Sequence, residues 1–150
     1  MKLFDNPKPV VYAILAFLIL FFSIRSCEAS TVELGPTLLN GVGLVYSESI
    51  GHYDVGVMLI SDQSWDGIEE GNNGGVFAER MVRKGKFSMG LGAAGWVATS
   101  RIVGSNLTFH MSIHYDINDS WRVNYRHWSN AGITDHNRGQ DLLTIGWKFK

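Results

Sequence analysis

The chain has 150 residues, with 13 lysines and arginines against 14 aspartates and glutamates and a formal net charge of -1. That length accommodates one domain, and so near a balance of charge gives no electrostatic reason to expect nucleic acid as a partner. The single cysteine, Cys27, sits beside a predicted cleavage site, which removes disulfide, metal-thiolate and cysteine-nucleophile chemistry from the expected mature chain.

At the N terminus, Val10 to Ile24 is apolar apart from Ser23, with Lys2 and Lys8 before it and Cys27-Glu28-Ala29 after it. Charge, apolar run and small residues in that order predict a secretory signal peptide over residues 1–29, cleaved after Ala29. The run is shorter than the roughly 20 residues that span a bilayer. A retained anchor is therefore the lesser reading, as is lipid modification of Cys27, which Arg25 fits poorly. The expected mature domain runs from Ser30 to Lys150.

From Thr31 onward no segment repeats apolar residues at helical spacing for three turns, whereas a period of two recurs throughout. The reading is all-β. Strands are expected over 31–39, 42–49, 52–61, 75–83 and 86–97. The sixth is the clearest: Leu107, Phe109, Met111, Ile113 and Tyr115 alternate with Thr108, His110, Ser112, His114 and Asp116. In the seventh, Trp121, Val123 and Tyr125 oppose Arg122, Asn124 and Arg126, and in the eighth Leu143, Ile145, Trp147 and Phe149 oppose Thr144, Gly146 and Lys148.

Short turns are expected at Ser49 to Gly51, Lys84-Gly85 and Asn118-Asp119, and longer polar loops over 62–74, 98–105 and 130–140, with a further tight connection near Asn40-Gly41. Successive connections of a meander alternate ends, so the short turns share one rim and the long loops the other, as in bacterial outer-membrane barrels. The ionisable residues of the polar face suit the interior of a small membrane barrel, and Tyr115, Trp121, Trp147 and Phe149 suit an aromatic girdle outside it. The fold class read from this is an eight-stranded antiparallel up-and-down transmembrane β-barrel; a soluble lipocalin-like barrel is the alternative.

Gly90-Leu91-Gly92-Ala93-Ala94-Gly95 matches the dinucleotide-binding spacing, but no helix or βαβ unit surrounds it. Small residues that let bulk fit inside a narrow barrel explain it better. His110 and His114 belong to the interior face and, with His52, read as hydrogen-bonded histidines before metal ligands. The glycosylation-like triplets at Asn106 and Asn118 carry no meaning in a bacterial envelope protein.

Continuing the seventh strand past Tyr125 puts His127 and Ser129 on its outer face, and on the eighth strand Asp141 shares the face of Leu143 and Ile145. A hairpin then sets Ser129 and Asp141 near the start of pairing, with His127 one same-face step below. A polar group facing hydrocarbon costs up to a few kcal/mol, falling toward the interface. Serine, histidine and carboxylate are also the parts needed for acyl transfer, and the loop from Asn130 to Gly139 can present N–H donors to a tetrahedral intermediate. A polar interfacial rim beside a turn is the alternative reading.

His127-Trp128-Ser129-Asn130-Ala131-Gly132, then Asn137 and Gly139, then Asp141 before an aromatic-rich last strand, resembles the lipid A 3-O-deacylases, the PagL family of outer-membrane barrels. The resemblance implies Ser129 as nucleophile, His127 as general base and Asp141 as the acid that orients the imidazole, with Asn130, Gly132 and Asn137 as oxyanion-hole or supporting residues. It implies hydrolysis of the ester-linked 3-hydroxyacyl chain at position 3 of lipid A in the outer leaflet of the outer membrane. No metal or organic cofactor is implied; lipopolysaccharide and membrane lipids are the partners, and a homodimer is left open. The specific motif lies within the last part of the chain, roughly its final 30 residues, and over the rest the likeness is one of architecture and pattern. Two departures stand out: the family acid is Glu where this chain has Asp141, and the loops are short.

The shorter acid leads to the expectation that Asp141→Glu retains or raises activity, with Asp135 as the next candidate acid if it does not. Two other functions remain open at this stage: a non-catalytic small barrel binding a surface ligand, and an outer-membrane phospholipase.

Overall fold

The computed structural model describes residues 29–99, 102–132 and 138–149. Residues 1–28, nearly all of the expected signal peptide, lie outside the described residues, as do Asp135 and Asn137.

The period-two segments form β1 (Ala29–Pro36), β2 (Val42–Ile50), β3 (Tyr53–Ile60), β4 (Gln63–Trp65), β5 (Ile68–Glu70), β6 (Asn73–Lys84), β7 (Phe87–Trp96), β8 (Leu107–Asp116), β9 (Trp121–Ser129) and β10 (Gln140–Phe149). Eight of them close into a barrel in the order β1-β10-β9-β8-β7-β6-β3-β2, every neighbouring pair antiparallel. Because β1 pairs with both β2 and β10, the barrel leaves no unpaired edge, which is the condition for a sheet to cross hydrocarbon.

Two strand expectations need correction. The first strand runs from Ala29 to Pro36, not 31–39. Pro36 has no N–H with which to extend the ladder, and Thr37 Oγ1 turns the chain by accepting from the N–H of Leu39 (3.3 Å) and Gly41 (2.8 Å). The expected 62–74 loop contains the β4–β5 hairpin. Its turn is Asp66-Gly67, with φ of 48° and 76°, the mirror-image geometry that a tight hairpin prefers and that an Asp-Gly pair signals.

The interior is divided. Toward the long-loop rim it is an apolar plug of Val45, Met58, Ile60, Phe77, Ala94, Trp96, Trp128 and Leu142, while the ionisable residues of the polar face lie inside as expected. Trp128 stacks on His110 at 5.1 Å and meets Trp96 edge-on at 5.7 Å. Below the plug, fully buried Arg126 binds Glu33 at 2.6 and 3.0 Å and Glu79 at 2.8 Å. The network continues from Glu79 to Ser112, to His114 at 2.7 Å and to Arg122, which pairs with Asp116 at 2.9 Å. A buried guanidinium is tolerable only with its donors filled, and the two glutamates fill them.

Two glycines of the β7 run, Gly90 and Gly92, are required by close packing. A Cβ at Gly90 would sit 2.0 Å from Glu79 Oε2, and one at Gly92 would sit 1.9 Å from the carbonyl oxygen of Ala78.

Outside, the surface between the rims is apolar: Leu44, Leu59, Val76, Leu91, Phe109, Leu143 and Ile145 are all exposed. Tyr53, Phe87, Tyr115, Trp121 and Trp147 gather at the short-turn end, with Phe87 against Tyr115 at 4.9 Å and Trp147 against Phe149 at 5.0 Å. That is an aromatic girdle at one interface.

Candidate active site

Period two sorts the end of β9 into two sets. Asn124, Arg126 and Trp128 point inward and are fully buried, while Tyr125, His127 and Ser129 are half-buried on the outer face. On β10, Gln140 and Leu142 face inward and Asp141 outward. The register sets Asp141 directly opposite His127 and Gln140 opposite Trp128. Ser129 and Asp141 do lie near the start of the pairing, as expected, but Asp141 is level with His127 and not one same-face step above it.

The direct pairing removes the difficulty posed by a short acid. Opposite residues of an antiparallel pair lie about 4.5–5.5 Å apart, so an aspartate reaches. His127 Nδ1 lies 2.8 Å from Asp141 Oδ1, with the two side chains 31% and 12% exposed. Tyr125, one same-face step before His127, donates its hydroxyl to the same Oδ1 at 2.5 Å. The alternation that places His127 and Ser129 outward places Tyr125 with them, but nothing in the sequence links its hydroxyl to Asp141.

Ser129 ends β9, about 6.6 Å along the strand from His127 at 3.3 Å per residue, and its Oγ accepts the N–H of Ala131 at 3.1 Å. The turn beyond it is held by Asn130. This buried side chain donates to the carbonyl of Val103 at 2.5 Å and accepts the N–H of Gly132 at 2.8 Å. Ala131 and Gly132 both have positive φ, 55° and 78°, and the Asn130 hydrogen bond holds that left-handed pair in place. Asn130 and Gly132 are thus brought beside Ser129, with the Gly132 N–H engaged by Asn130. Asn137 lies outside the described residues.

From the far side of the loop, Gly139 packs on the imidazole: with φ of 74°, a Cβ there would stand 2.6 Å from His127 Cε1. The β1–β2 turn closes the same corner, the N–H of Leu38 donating to the carbonyl of Asp141 at 3.1 Å. On β8, Met111 faces His127 and Phe109 faces Ser129. An imidazole held by a carboxylate, a serine on the same face and apolar walls on the neighbouring strands make an arrangement suited to acyl transfer at a lipid surface.

The family model for lipid A 3-O-deacylase (PagL) matches residues 46–150, well over half of the chain. The chain belongs to the lipid A 3-O-deacylase family. Family membership and the closed barrel make it an outer-membrane β-barrel of the lipid A deacylase class. A crystal structure of the outer membrane enzyme PagL superposes with a TM-score of 0.60 at 18% identity, covering 82% of this chain and 99% of that one. At that identity the likeness is one of fold. No curated protein matches the chain.

Proposed function

We propose that this barrel is a serine esterase that removes the ester-linked 3-hydroxyacyl chain from position 3 of lipid A, with Ser129 as nucleophile, His127 as general base and Asp141 as the acid that orients it. The observation that carries this reading is the 2.8 Å contact between His127 Nδ1 and Asp141 Oδ1 on the outer face of the strand that ends in Ser129. A proton held at Nδ1 by the carboxylate leaves the Nε2 lone pair to take the proton of Ser129.

The alkoxide adds to the ester carbonyl, and the sugar oxygen leaves with the proton that the imidazolium returns. Water then enters by the same base and releases the 3-hydroxy fatty acid, regenerating Ser129. Charge on the carbonyl oxygen develops beside the N–H of Ala131, which lies 3.1 Å from Oγ; Asn130 acts as the clamp that keeps the turn in shape, and Asn137 is a further donor by family resemblance. The apolar outer faces of β8 and β10, Phe109 and Leu143 among them, accept the acyl chains on either side of the ester. A substrate that is itself a lipid accounts for a triad on the outside of a barrel.

Lipid A from cells expressing the wild type or Ser129→Ala distinguishes the alternatives by mass spectrometry. Loss of one 3-hydroxyacyl group with the wild type and not the variant is the expected outcome. Unchanged lipid A in both overturns the proposal, and acyl loss from phospholipids instead would make the barrel a phospholipase. The reading of residues 1–29 as a cleaved signal peptide is tested in the same cells by the N-terminal sequence of the membrane-inserted protein, expected to begin at Ser30.

A further inference from the structure

Asp141 Oδ1 carries two donors, His127 Nδ1 at 2.8 Å and the Tyr125 hydroxyl at 2.5 Å. From this geometry we infer that Tyr125 is a positioning residue for the reaction, acting through Asp141 to hold the carboxylate oxygen on the imidazole. The inference rests on the triad reading proposed above.

Three observations support it. Asp141 has only one methylene between backbone and carboxyl, and its side chain is largely withdrawn from water, 12% exposed; a carboxylate in that setting needs donors from the protein. The neighbouring outward positions supply few. Across from His127 on β8 stands Met111, and beside Asp141 on β10 stands Leu143, which pairs with Tyr125. Finally, Tyr125 sits diagonal to Asp141 across the β9–β10 pair, a separation that only a long side chain bridges. Its rigid ring brings the hydroxyl to Oδ1, and with Oδ1 held from both sides the Nδ1–H tautomer of His127 is the one favoured.

The test compares wild type, Tyr125→Phe, Asp141→Asn, the double variant and Ser129→Ala, all full-length protein folded in detergent micelles with lipid A as substrate. Release of 3-hydroxy fatty acid gives kcat and KM, and the migration of unheated protein on a gel confirms each barrel. Tyr125→Phe is expected to lower kcat roughly tenfold, the lower end for a hydrogen bond to a charged group, and to leave KM unchanged. In the Asp141→Asn background it should cost nothing further, since the partner it acts through has changed.

The 15N shifts of the His127 ring give a second measure that needs no activity: Nδ1–H in the wild type, a mixture in Tyr125→Phe. An unaltered kcat, an effect on KM alone, full additivity with Asp141→Asn, or an unaltered tautomer each overturns the inference. Full activity in Ser129→Ala would sink the triad reading and this inference with it. Loss in Ser129→Ala beside an unaffected Tyr125→Phe sinks the tyrosine alone.

Discussion

At the scale of single residues, the departure from the family acid takes on a different meaning once the register is known. Asp141 stands directly across from His127 and meets it at 2.8 Å, so the shorter side chain is the length this pairing needs. The sequence leads to the expectation that Asp141→Glu retains or raises activity; the register and the 2.8 Å contact lead to the opposite prediction. An added methylene drives the carboxyl past Nδ1 and away from the Tyr125 hydroxyl, and kcat for lipid A deacylation should fall by about threefold to tenfold, the loss of part of one charged hydrogen bond. The outward facing of His127, Ser129 and Asp141 is legible in the sequence because a strand alternates with a fixed period. The facing of Tyr125 is legible on the same grounds, but tyrosine on an outer face is ordinary and only the distance to Asp141 makes it a partner.

At the scale of elements, the site is the corner where the end of β9, the start of β10 and three connections meet. Asn130 ties the turn after Ser129 to Val103 in the β7–β8 connection, and the N–H of Arg138 reaches the carbonyl of Ile102 at 3.2 Å. Leu39, Ile102 and Val103 bury one another between the connections, with Ile68 of the β4–β5 hairpin packed on them. Gly139 is the point where this scaffold touches His127, because its absent side chain leaves room for the imidazole. Gly139→Ala adds a Cβ at 2.6 Å from His127 Cε1 in a backbone with φ of 74°, where strain alone costs about 1–3 kcal/mol. The expected outcome is a drop in kcat of an order of magnitude or more with the barrel still folded, as its unheated gel migration would show. None of these contacts could be read beforehand. They join connections far apart in sequence, and loops carry no periodicity from which to infer a partner.

At the scale of the whole molecule, the wall that carries His127 and Ser129 is braced from inside. The outward His127 is flanked in sequence by Arg126 and Trp128, and those two inward side chains anchor the charged network and the apolar plug respectively. Arg126→Ala strands Glu33 and Glu79 without their shared cation, which should cost about 3–5 kcal/mol. Urea unfolding in lipid vesicles would show this as a lower midpoint. Replacing all three together by Glu33→Leu, Glu79→Leu and Arg126→Met should recover much of the loss, since a buried charge network often does no better than an apolar core. A triple variant as unstable as Arg126→Ala would show instead that the interior requires these charges.

The order of residues was enough for the number of barrel strands, the rims and the facing of the side chains on β8, β9 and β10, because all of these follow from a period of two and from turn chemistry. The register was beyond it. A barrel is closed by hydrogen bonds between backbones that look alike at every residue, so which residue of β10 faces His127 depends on packing around the whole ring. That choice set Asp141 against His127 and brought Tyr125 to the same oxygen.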